Sequence, residues 1–84
     1  MEDSLHILQQ IIIYFNEQHG KPRGYQLKST VMTHNSAALV FELVLRNTNT
    51  EEQVSGVNFL GPADNIRLSI LASINNLATS LGMW

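Results

Sequence analysis

Cysteine is missing from this 84-residue chain, which removes disulfides, thiolate metal sites and cysteine nucleophiles and suits a reducing compartment. Positive charge is scarce as well, with five Lys and Arg against seven Asp and Glu and a formal net charge of −2. Such a chain lacks the field that draws nucleic acid or an anionic membrane. No apolar run approaches the roughly 18 residues of a transmembrane span. The opening Met1-Glu2-Asp3 is acidic where a signal peptide is basic. The expectation is a cytoplasmic or otherwise intracellular protein, a single domain over residues 1–84. Domains this small often complete their core with a partner.

What is present is periodicity. Leu5, Leu8, Ile12 and Phe15 fall on one helical face, with Ile11 widening it, Asp3 or Ser4 placed to cap the start, and Gly20 and Pro22 to stop it. From Tyr25 the period shortens to two: Tyr25, Leu27 and Val31 alternate with Gln26, Lys28 and Thr30 as in a half-buried strand, and His34-Asn35-Ser36 reads as a turn. Ala38 to Arg46 sets Leu39, Phe41, Leu43 and Leu45 against Val40, Glu42, Val44 and Arg46, the pattern of a central strand. Asn47 to Glu52 is a polar loop. In the third strand, Gln53 to Leu60, the apolar parity slips between Val54 and Val57, which predicts a bulge at Gly56. A last helix from about Pro62 to Leu81 aligns Ile66, Ile70, Ile74, Leu77 and Leu81, with Gly82 as terminator. Short loops between consecutive strands favour a meander. The predicted fold is α+β in the order α-β-β-β-α, a three-stranded antiparallel sheet with two helices packed on one face. Its core should contain Leu8, Ile12, Phe15, Leu27, Leu39, Phe41, Leu43, Ile70, Ile74 and Leu77.

Candidate sites are sparse. His6, His19 and His34 are isolated and none has the i, i+4 spacing of a helical metal pair, and no nucleophile elbow surrounds any Ser. No catalytic residue, metal site or cofactor is expected. His19, Lys21, Arg23 and Lys28 form the one basic cluster. Gly61-Pro62-Ala63-Asp64-Asn65 opens the last helix, where free N–H groups attract anions, so Gly61, Asp64 and Asn65 are a candidate ligand site. Asp64 is also what the macrodipole favours in a first helical turn. Ile7, Ile13, Leu68, Met83 and Trp84 are apolar residues without a place in the predicted core and make a candidate interface.

With its elements in this order the chain resembles the double-stranded-RNA-binding domain along nearly its whole length. The resemblance is carried by Gly20-Lys21-Pro22, Tyr25-Gln26-Leu27, His34, Leu39-Val40-Phe41-Glu42-Leu43 and Gly61-Pro62-Ala63. In that family a histidine of the first hairpin enters the minor groove, which His34 matches, and a lysine run at the start of the last helix grips phosphates. Here that run reads Asp64-Asn65-Ile66-Arg67-Leu68. RNA contacts, if any, would then fall to His19, Lys21, Arg23 and His34 and be weak. Degenerate members of the family serve in dimerisation or protein docking, and the resemblance implies that role. Residues 25–81 also resemble the repeating unit of the leucine-sensing regulatory domain of isopropylmalate synthases, through Tyr25-Gln26-Leu27-Lys28-Ser29 and Gly61-Pro62-Ala63-Asp64. That likeness implies a small-molecule effector bound between paired copies. The leading expectation is a non-catalytic interaction module, a homodimer or a partner-docking domain. A regulatory sensor is the alternative, followed by weak RNA binding.

Overall fold

The computed structural model describes Met1 and residues 3–84. Helix α1 (Ser4–Phe15) leads through a π-helical turn (Asn16–Gly20) into a short helix α2 (Lys21–Arg23). Strands β1 (Tyr25–His34), β2 (Leu39–Asn47) and β3 (Gln53–Leu60) follow, and helix α3 (Ile66–Ser80) closes the chain. The sheet is antiparallel in the order β1-β2-β3. Both long helices pack against it, α1 on β1 and α3 on β3 and β2, and they touch each other. The architecture is the expected α+β meander and is consistent with a double-stranded-RNA-binding-like fold.

The first helix does not stop at Gly20. Pro22 has no N–H and its ring cannot sit over the carbonyl of a straight α-helix, and the chain widens by one residue instead, with Lys21 N–H donating to Asn16 O. The stop is Gly24, in the left-handed region at φ 78°. Gly20 serves another purpose: a Cβ there would meet the Tyr25 carbonyl oxygen at 2.8 Å, so only glycine lets helix and strand approach so closely. Neither Asp3 nor Ser4 caps α1 through its side chain. The buried Ser4 hydroxyl donates to the Met1 carbonyl at 2.6 Å.

Leu39, Phe41, Leu43 and Leu45 of β2 form the floor of the core, covered by Leu8 and Phe15 of α1 and by Ile70, Ile74 and Ala78 of α3. Ile12 and Leu77 pack at its margin, and so does Ile7. Met83 belongs to the core as well, at 8% exposure, because α3 ends in a complete Schellman turn. Gly82 takes φ 77°, its N–H bonds Thr79 O at 3.1 Å, and Met83 N–H returns to Ala78 O at 2.8 Å, folding the Met83 side chain inward.

The predicted bulge is in the wrong strand. β3 pairs with β2 in unbroken register from Leu60 opposite Leu39 to Gln53 opposite Arg46. The irregularity lies in β1, between Val31 and Thr33, with Met32 as the extra residue. The parity slip in β3 is therefore real side-chain placement. Val54 and Leu60 align with the inward leucines of β2, and Val57 and Phe59 align with Glu42 and Val40 on the opposite face. Gly56 sits on the helix side, where an added Cβ would make only ordinary contact with Leu77 at 3.9 Å.

Candidate functional site

The α3 entrance is closed by its own side chains. Asp64 Oδ2 accepts from Gly61 N–H at 2.7 Å and Asp64 N–H donates to Gly61 O at 3.1 Å, so the segment is a self-contained turn and α3 begins at Ile66 rather than near Pro62. Asn65 is the N-cap, its Oδ1 accepting from Leu68 N–H at 3.1 Å. The residues picked out as a ligand site thus come together. Two of the N–H groups there already have side-chain acceptors, and the nearest carboxylate would meet an incoming anion with like charge.

The basic residues do not converge on one surface. His34 ends β1 and its Nε2–H donates to the Met1 carbonyl at 3.0 Å. Lys21 and Arg23 precede the other end of β1, whose nine steps from Tyr25 to His34, at ~3.3 Å each, span roughly 30 Å. Lys21 pairs with Glu17 at 2.9 Å, an exposed i, i+4 contact of small energetic weight. Lys28 lies opposite Val44 on the uncovered face of the sheet, one pair along from Arg46. Arg67 is exposed on the first turn of α3.

The proposed interface residues are also dispersed. Met83 joins the core, Ile7 packs at its margin, Ile13 and Leu68 are exposed, and Trp84 is half-exposed but held by its own chain. Its indole Nε1–H donates to Asn75 Oδ1 at 2.8 Å, and its ring lies edge-on to Phe15 and His19 at centroid distances of 5.9 and 6.0 Å. The Arg23 guanidinium stands 5.9 Å from the same ring centre, within cation–π range.

Two features escaped the sequence reading. The first is the uncovered face of the sheet, where Phe59 is 76% exposed and Val57 50% exposed. They stand in line with Val40 and Glu42 on β2 and with Thr33 and Thr30 on β1, and exposed Met32 lies beside Thr33. Plain period-two alternation from Gln53 would have found them. The second is an apolar groove of about 270 Å³ between α1 and α3, walled by Ile11, Tyr14, Leu71 and Ile74 and closed at one end by His19 and Trp84. A larger hollow of about 480 Å³ lies beside the π turn, open and lined by Asn16, Glu17, Lys21 and Tyr25 among others. There the Asn16 amide is already spent: Nδ2 donates to Leu27 O at 2.9 Å and Oδ1 accepts from Leu27 N–H at 2.8 Å.

Among the described residues no group of His, Cys, Asp or Glu is placed to hold a metal ion, no buried side-chain polar atom lacks a partner, and no helix is long and apolar enough to cross a membrane. No family model, no curated protein and no solved structure matches the chain.

Proposed function

We propose that this chain is a non-catalytic association module, a double-stranded-RNA-binding-like domain without the phosphate clamp, that pairs with a second copy of itself through the uncovered face of its sheet. The observation that carries the reading is the Val57–Phe59 stripe. Phe59 is the most exposed large apolar side chain among the described residues and Val57 follows it on the same face of β3, in line with the buried Val40 of β2; Ile13, Tyr14, Leu68 and Leu71 are exposed too, but on the helices. Such a patch is what a contact surface presents, and a rigid Phe is a good anchor for one. The same face carries one carboxylate, Glu42, and two cations, Lys28 and Arg46. A surface bearing both signs can satisfy itself across a two-fold axis.

RNA recognition draws less support. The α3 entrance presents Asp64 beside the single cation Arg67, Lys21 and Arg23 precede β1, and Lys28 and Arg46 lie on the sheet face. Sedimentation equilibrium at tens of micromolar, roughly the range of a modest contact, should show a dimer that Phe59→Glu converts to a monomer with unchanged circular dichroism. A wild-type monomer throughout that range refutes self-pairing. Submicromolar binding of duplex RNA at physiological salt would restore the RNA-binding reading.

A further inference from the structure

We infer that the groove between α1 and α3 is a binding site for a small apolar carboxylic acid, an aromatic or short aliphatic acid whose body lies between the helices and whose carboxylate reaches Arg23. Four observations combine. The groove walls are apolar and aromatic, from Ile11, Tyr14, Leu71 and Ile74, and no Asp, Glu, Lys or Arg lines it. Its volume of about 270 Å³ exceeds the ~150 Å³ that suffices for benzene in an apolar cavity. The polar lining groups are His19, Trp84 and Asn75, the last already accepting from the indole N–H, and Arg23 lies just outside the lining with its guanidinium 5.9 Å from the Trp84 ring centre. Arg23 has no carboxylate within ion-pair distance among the described residues, whereas Lys21 and Arg46 each have one.

An apolar slot with a permanent cation next to the indole that borders it, and no carboxylate to compete, selects an acid over its amide or amine, because a charge-assisted contact to guanidinium is about twice as strong as a neutral one. A zwitterion or amine would bring its ammonium next to Arg23 and lose that advantage. The groove lies on the helix side of the sheet, so the inference stands apart from self-pairing through Phe59.

The test is an NMR titration of the full chain with phenylacetate and with its isosteric amide, phenylacetamide. Trp84 is the sole tryptophan, so its indole N–H gives one cross-peak at the groove's end. Phenylacetate should shift that peak and the Leu71 and Ile74 methyls to saturation with Kd of about 1 mM or tighter, the range open to a ligand of this size. Phenylacetamide should bind about tenfold more weakly, the scale of one charged contact. Arg23→Gln should erase the difference while leaving amide binding intact, and Leu71→Glu should abolish both. Equal affinity for acid and amide in the wild type overturns the inference. So does the absence of saturable shifts, or shifts centred on Gly61 and Asn65. Arg23 is exposed, so its variant keeps the test decisive even if the Leu71 variant is unstable.

Discussion

On the helix side of the sheet Leu27, Phe41, Leu43 and Leu45 of β1 and β2 are sealed under α1 and α3; on the other side Val57 and Phe59 of β3 stand in water. The covered face is mostly apolar, whereas the open face sets Val40, Val44, Val57 and Phe59 among Lys28, Thr30, Glu42, Arg46 and Ser55. Burial follows the packing of the helices, which approach from one side only, with Val40 of the central strand buried on the far side by its neighbours. Apolar residues left on the far side stabilise the monomer little and are free to serve contacts with other molecules.

Breaking the covered face should have the largest effect. Phe41→Ala empties the centre of the core and should destabilise by about 3–5 kcal/mol, measured as a large drop in urea midpoint or outright unfolding. Next comes the seam between helix and sheet: Asn16→Ala strips two hydrogen bonds from Leu27 and should cost ~1–3 kcal/mol, with faster hydrogen exchange at the Leu27 amide as its local signature. Gly56→Ala tests whether the covered face has room to spare. Its Cβ meets Leu77 at an ordinary distance, so the strand should gain about 0.5–1 kcal/mol. A loss there would show that the α3–β3 contact has no room for a methyl group. Smallest is Phe59→Ser measured at concentrations where the chain is monomeric, which should change stability by under ~0.5 kcal/mol. A loss of several times that value would mean the open face is part of the fold.

Much of this was legible in the residues. β2 announces both of its faces by strict alternation from Leu39 to Arg46, and the stripes on α1 and α3 place Leu8, Phe15, Ile70 and Ile74 in the core where they are found. Two misreadings share a cause: a glycine taken as punctuation. Gly20 is inside the helix because Tyr25 comes within contact of it. Gly56 is an ordinary strand residue, and treating it as a bulge hid the outward turn of Val57 and Phe59. Gly82 does end its helix, and the turn it makes carries Met83 back into the core instead of leaving it on the surface. The Met32 bulge had no local signal, since Val31-Met32-Thr33 is unremarkable strand sequence. The groove could not be seen either, because it is made by residues of two helices far apart in the chain that the fold brings together.

The Asn16 amide has a consequence for how large an assembly can become. By occupying both backbone groups of Leu27, it plugs the outer rim of β1, and the Met32 bulge disrupts the same strand further along. β3 has neither obstruction along Gln53–Leu60. A sheet that can be extended at one rim but not the other admits a single neighbour and then terminates. Any association by strand addition would therefore stop at two chains, and the filament growth open to a sheet with two free rims is denied to this one.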